Sequence, residues 1–74
     1  MALASDTSMF VAFCIEQYKH AKSLSGDQAA EELKRYGVLD YLSEHYEVLH
    51  TQSHHWLLEE IDEFIAKRKP LPQQ

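Results

Sequence analysis

Three of the five histidines, His50, His54 and His55, lie close together in the second half of the chain and could bind a metal ion. His50 and His54 have the i, i+4 spacing that places two imidazoles on one helix face. A helix break near Ser53 would remove that geometry, and the His-Glu-x-x-His pattern of metalloproteases is missing. We therefore expect His54 and His55 on the surface of a first helical turn and His50 in a loop, bonded to backbone. A metal site at His50 and His54 stays as the weaker alternative.

Cys14 is the single cysteine, and it could act as a nucleophile only with an exposed thiolate and a neighbouring base. Its neighbours Phe13 and Ile15 predict burial instead, which is the usual place for a free cysteine. Adjacent carboxylates such as Glu31 and Glu32 point in different directions on a helix and do not form an acid–base pair. The sequence thus predicts no catalytic residue and no cofactor, so we expect a protein that is not an enzyme.

The length of 74 residues predicts one small domain. A chain of this size buries only ~60% of the surface that its unfolded form exposes. One cysteine cannot form an internal disulfide, so a partner or a second copy would help to stabilise the fold.

The net charge of −5 comes from twelve acidic and seven basic side chains and predicts no binding to nucleic acid. The one basic cluster, Lys67-Arg68-Lys69, is typical of a helix C-terminus, where cations interact favourably with the helix dipole. The segment Met1–Ser8 has no basic residue, and the longest apolar run, Met9–Ile15, is far shorter than the ~20 residues of a membrane span. We expect a cytoplasmic protein with no membrane segment.

Apolar residues recur at spacings of three and four, and glycine and proline are rare, so the sequence predicts an all-α fold, a compact bundle of about four helices. We expect a loosely ordered N-terminus over residues 1–8, a helical domain over 9–68 and a disordered tail over 69–74. The predicted helices are one capped by Ser5 or Asp6 and ending near Lys22, one starting at a Ser25–Gln28 capping box and ending at Gly37, one over Val38–Leu49, and one capped by Thr51 or Ser53 and ending near Arg68.

Each predicted helix carries an apolar stripe that should face the core. The stripes are Phe10, Phe13, Cys14, Tyr18 and Ala21 in the first helix, Ala29, Leu33 and Tyr36 in the second, Val38, Leu42, His45, Tyr46 and Leu49 in the third, and Leu57, Ile61, Phe64 and Ile65 in the fourth. Val11, Ala12 and Ile15 widen the first stripe, which predicts a central helix or one half of a dimer interface. We expect the first helix to pack against the third and fourth, with the second as a shorter lid.

Several stretches resemble a family of small bacterial proteins that is classed as a domain of unknown function. They are FCIEQYK (13–19), YGVLDYL (36–42), YEVLHT (46–51) and IDEFI (61–65), and the resemblance covers roughly residues 9–66. It implies an intracellular helical domain, often encoded near other small proteins, some of which look like ADP-ribosyltransferase toxins. The family brings no established catalytic residues, and the resemblance implies an antitoxin-like or partner-binding role.

These observations favour a non-enzymatic module that binds another protein. The predicted contact surface consists of Met9, Tyr41 and Trp56 with Glu60 and Glu63 on the acidic face of the fourth helix. The alternative is a structural homodimer in which the apolar band Met9–Ile15 meets its symmetry mate.

Overall fold

A computed structural model of the protein describes residues 5–69, which form helices and, within that range, no strand. The helices are α1 (Asp6–Lys22), α2 (Gly26–Arg35), α3 (Val38–Glu44), α4 (Tyr46–Leu49) and α5 (His54–Arg68). The prediction of an all-α bundle of about four helices is confirmed, because α4 is a single turn of four residues that follows α3 directly.

The first helix begins where its capping residue predicts. The Ser5 side chain accepts a hydrogen bond from the Ser8 backbone N–H at 3.0 Å, so α1 starts at Asp6. The expectation of a loosely ordered segment through Ser8 is therefore wrong for residues 5–8, which form the cap and first turn of α1. The rest of that predicted segment, and the predicted tail beyond Lys69, lie outside the described residues.

The turn between α1 and α2 closes both helix ends with hydrogen bonds. Ser23 takes the left-handed conformation, with φ 55°, and the next residue, Leu24, donates its backbone N–H to the Lys19 carbonyl at 3.0 Å. The Ser25–Gln28 capping box is confirmed: the Ser25 side chain accepts from the Gln28 backbone at 3.1 Å, and the Gln28 side chain accepts from the Ser25 backbone at 3.0 Å.

The chain bends at His45, where the sequence predicts a continuous helix over Val38–Leu49. Gly37, with φ 77°, ends α2 as predicted, but α3 then stops at Glu44 and α4 begins at Tyr46. No glycine or proline marks this break. The bend accompanies a tertiary contact, in which the Tyr46 ring packs edge-on against Phe10 of α1 with 5.6 Å between ring centroids. Tertiary contacts of this kind override local helix preference.

The core lies between all five helices, and within the described residues it contains no charged side chain. Its members are Phe10, Cys14, Tyr18, Ala29, Leu33, Val38, Leu42, Leu49, Leu57, Ile61 and Ile65. The helix α2 packs along α1 more extensively than any other helix does, so the prediction of a lid is wrong. Ala29 and Leu33 place α2 inside the core rather than over it.

Four of the residues predicted to face the core are exposed: Ala12, Phe13, Ala21 and His45. In α1 only the face with Phe10, Cys14 and Tyr18 is buried against other helices. Phe13 lies about 100° around the helix from Cys14, the middle residue of that face, and 44% of its surface is exposed. The wide apolar band of α1 is thus half covered. Helix α1 packs against α2, α3 and α5, so the predicted packing of the first helix against the third and fourth, as a central helix, is confirmed.

Candidate functional site

The candidate interaction surface lies on the side of α5 that faces α3 and solvent. Its residues Trp56, Glu60, Phe64 and Arg68 follow one another at four-residue spacing and so lie along one side of the helix. Ser53 caps α5 by accepting the Trp56 backbone N–H at 3.2 Å, which fixes where the helix begins and therefore where this row starts.

Tyr41 of α3 contacts this row directly. Its hydroxyl donates to Glu60 Oε1 at 3.1 Å, and its ring lies 4.5 Å from the Phe64 ring between centroids. Burial, followed by the hydrogen bond to the Glu60 carboxylate, raises the pKa of Tyr41 above its usual value. Tyr41 is thus held against α5 by both its ring and its hydroxyl, and Tyr41 and Glu60, two of the predicted contact residues, meet.

Trp56 is the large apolar side chain of this surface that faces solvent, with 40% of its area exposed. Glu59 and Glu63 are exposed on the same helix, and Glu63 pairs with Lys67 at 3.1 Å. We define the Trp56 surface as Trp56, Glu59, Glu60 and Glu63 of α5 with Tyr41 of α3. It contains four of the five residues of the predicted contact surface.

The fifth predicted contact residue, Met9, lies on α1. It is 61% exposed, and Phe13, one turn further along and 44% exposed, shares its side of the helix. This outer face of α1 lies about 120° around the helix from Phe10, Cys14 and Tyr18, which point into the core. Met9 therefore lies on a different helix from Trp56. Phe13, which the sequence analysis placed in the core, is exposed beside Met9 on the same side of α1.

The histidines are arranged as the favoured interpretation predicts. His54 and His55 form the exposed first turn of α5, and His50 follows α4 and donates from Nδ1 to the Tyr46 carbonyl at 2.7 Å. His50 therefore lies in the turn between α4 and α5, and it does not share a helix with His54. Within residues 5–69, no group of three or more His, Cys, Asp or Glu side chains is placed to hold a metal ion.

Cys14 is buried as predicted, with 1% of its surface exposed. Burial raises the pKa of its thiol to about 12. Desolvation disfavours the thiolate, so at neutral pH the sulfur is a protonated, apolar core group rather than a nucleophile.

Each residue of the basic cluster contacts this same domain. Lys67 pairs with Glu63, and the Arg68 guanidinium lies 3.3 Å from the centroid of the Phe64 ring and donates to the Phe64 carbonyl at 3.2 Å. Lys69 lies over the Tyr36 ring at 5.8 Å. The cluster therefore lies at the C-terminal end of α5, as predicted, and its side chains contact residues of this chain.

A shallow groove of about 300 Å³ lies where α1, α2 and α5 meet, and no sequence pattern predicts it. Its polar groups bond to one another: the Tyr18 hydroxyl donates to the Glu32 carboxylate, and Lys22 pairs with Asp62 at 3.0 Å. The second pair joins residues 40 positions apart, which no local pattern reveals. These contacts hold the three helices together.

None of the helices within residues 5–69 is long and apolar enough to cross a membrane. The described chain is a small all-α domain with a single apolar core and exposed aromatic and acidic side chains on its outer helix faces. A family model described as a protein of unknown function (DUF3791) matches residues 9–68, and the chain belongs to that family. No curated protein and no solved structure matches the chain significantly.

Proposed function

We propose that this chain is a non-enzymatic module that binds another protein through the Trp56 surface. The observation that carries the proposal is the exposure of Trp56, the single tryptophan, on a helix whose opposite side fills the core. Tryptophan is enriched among the residues that dominate the energy of protein interfaces. The adjoining Tyr41 is already held in place by Glu60 and Phe64, so little side-chain freedom is lost there on binding.

The reactive residue types support a binding role over a catalytic one. The thiol of Cys14 is buried and its pKa is raised to about 12, so it cannot act as a thiolate at neutral pH. His50 donates to a backbone carbonyl, and His54 and His55 lie on a separate exposed turn. Neither arrangement gives the nucleophile and base in contact that covalent catalysis requires.

The more specific role that we propose is regulatory: an antitoxin-like partner of a toxin-like protein in the cytoplasm. This part of the proposal is supported by the family resemblance rather than by any contact in the structure. It predicts that the partner has an enzymatic activity which this chain suppresses, and an activity assay of the co-purified pair would test it.

Affinity capture of the tagged, full-length protein from its native cells at low salt tests the proposed function. Wild-type protein should retain one stoichiometric partner, and Trp56→Ala should retain much less of it. Val48→Ala is the matched control, because Val48 is a 64% exposed apolar residue on α4, outside the Trp56 surface. Circular dichroism should show both variants folded, since neither side chain belongs to the core.

Two results would contradict the proposal in different ways. If Trp56→Ala retained the partner as well as Val48→Ala does, the surface assignment would be wrong. If the wild-type protein retained no partner at all, the binding function itself would be wrong.

A second candidate function is a structural homodimer, which the outer face of α1 favours. Met9 and Phe13 expose large apolar side chains one turn apart there, and exposed apolar surface of this kind marks association sites. Light scattering at tens of micromolar should then give the mass of a dimer, and Phe13→Glu should give a monomer. A monomer for the wild-type protein would rule this candidate out.

A further inference from the structure

We infer that the Trp56 surface binds an arginine-bearing segment of the partner protein. The inference rests on the proposed function, which it extends by naming the chemistry of the partner. Three features of the surface carry it: the carboxylates around Trp56, an arginine that already stacks on the same row of side chains, and the charge of the chain as a whole.

Carboxylates surround Trp56 on the exposed side of α5. Glu59, Glu60 and Glu63 follow it at i+3, i+4 and i+7, which are the neighbouring positions on a helix surface. Helical side chains lean towards the N-terminus, so Glu59 and Glu60 lean back towards the tryptophan. Only Glu63 has a cationic partner among the described residues, Lys67 at 3.1 Å. Three carboxylates and one ammonium group thus leave two uncompensated negative charges beside an exposed aromatic ring.

The same row of α5 already contains one stacked arginine, Arg68. The Arg68 guanidinium stacks over Phe64 at 3.3 Å, and Phe64 in turn packs against Tyr41. Trp56 lies eight residues before Phe64 on the same side of the helix, and no cation of the described residues lies over its ring. An arginine from a partner would therefore repeat at Trp56 the stacking that Arg68 makes at Phe64, beside the exposed carboxylate of Glu59.

Arginine fits this surface better than lysine does. Its planar guanidinium stacks on an aromatic face and donates to carboxylates from the same plane, whereas the lysine ammonium is a compact and strongly hydrated charge. A segment that contains arginine should therefore bind more tightly than a segment of equal charge that contains lysine.

A second copy of this chain is a poor occupant of the surface. Each copy carries a net charge of −5, so two copies repel one another at long range. The C-terminal cations that could otherwise reach Trp56 of a neighbour are engaged with Glu63, Phe64 and Tyr36 of their own copy. The occupant is therefore a different protein with a basic contact segment.

Fluorescence of Trp56 tests the inference directly, because the 74-residue chain has no other tryptophan. The probe is a short blocked peptide of alternating arginine and alanine, compared with the same peptide made with lysine or with glutamate. We expect a saturable change in emission with the arginine peptide, several-fold weaker binding with the lysine peptide and none with the glutamate peptide. Added salt should weaken the binding.

A pair of double variants with equal charge change separates this surface from general attraction to an acidic protein. Glu59→Gln with Glu63→Gln should weaken arginine-peptide binding by about tenfold, since each exposed ion pair contributes up to about 1 kcal/mol. Asp27→Asn with Glu31→Gln, on exposed positions of α2, should leave it within about twofold of wild type.

The inference is overturned if the two double variants bind the arginine peptide equally, or if arginine and lysine peptides bind with equal affinity. If the capture experiment returns a partner that depends on Trp56 but not on Glu59 and Glu63, the proposed function stands and the arginine inference falls. Absence of both a captured partner and peptide binding would overturn both.

Discussion

At the scale of single residues, Tyr18 joins α1 to α2 through a hydroxyl that reaches from the core to a carboxylate. Its side chain is buried, and the hydroxyl donates to Glu32 at the rim of the groove. Burial in the first place, and then the bonded carboxylate, raise the pKa of Tyr18 far above its usual value of 10.0. The folded protein therefore holds this phenol in its protonated form.

The raised pKa of Tyr18 predicts a loss of stability at high pH. In the unfolded chain the phenol ionises near pH 10, whereas in the folded chain it stays protonated, so the stabilisation is complete below pH 10 and is lost as the pH rises above that value. Tyr18→Phe should cost about 1 kcal/mol at pH 7 through the lost hydrogen bond, and its unfolding free energy should fall less steeply above pH 10. Urea unfolding between pH 7 and pH 11 measures both.

Some alkaline loss should persist in Tyr18→Phe, because the pKa values of Tyr41 and Tyr46 are also raised. Parallel pH curves for the wild type and Tyr18→Phe would contradict the assignment of this alkaline loss to Tyr18.

The sequence placed Tyr18 in the core but could not reveal its partner, because Glu32 lies 14 residues away on another helix. Helical periodicity likewise placed Trp56 and Tyr41 off the main apolar stripes, where they lie, but it assigned the exposed Phe13 to the core, since periodicity shows which residues share a face and not which faces are covered.

At the scale of helices, the two glycines play different roles. Gly37 has φ 77° and links the end of α2 to the start of α3, whereas Gly26 is the first residue of α2 with no unusual φ. An added methyl group would meet no atom within 4 Å at either position. Alanine substitutions at these two positions should therefore differ in their effect on stability only because the backbone conformations differ.

Gly37→Ala should destabilise the protein by about 1–2 kcal/mol, because a left-handed backbone is unfavourable for a residue with a Cβ atom. Gly26→Ala is the matched control and should stabilise the protein by about 0.4–1 kcal/mol through the reduced entropy of its unfolded chain. Thermal unfolding followed by circular dichroism should move the two midpoints in opposite directions. Equal midpoints would show that the turn at Gly37 does not require its positive φ.

The helix ends were predictable from sequence because they depend on neighbouring residues. Ser25 and Gln28 form the capping box that their spacing predicts, and Ser53 caps α5. The break at His45 was not predictable, because residues 38–49 keep one helical period throughout and contain no helix breaker. The bend coincides instead with the contact of Tyr46 with Phe10 of α1, a tertiary contact that a local pattern does not contain.

At the scale of the whole molecule, one small apolar core supports all five helices. Eleven residues are buried in it, and α1 leaves its outer face uncovered. A domain of this length has a total stability of roughly 4–11 kcal/mol, taking about 0.05–0.15 kcal/mol for each residue. The loss of one large core side chain is therefore comparable with the whole stability of the fold.

Leu33→Ala should show this dependence most directly, because Leu33 is fully buried and lies on α2, which packs most extensively against α1. Truncating a buried leucine costs about 2–5 kcal/mol, through lost apolar burial and the cavity left behind. We expect a variant that is close to its unfolding midpoint at 37 °C, measured by thermal circular dichroism. Leu24→Ala, at a half-buried position beside the same helix, should cost less than half as much. A Leu33→Ala protein as stable as Leu24→Ala would mean that α2 is the lid that its short length first predicted, and that the core is closed by α1, α3 and α5 alone.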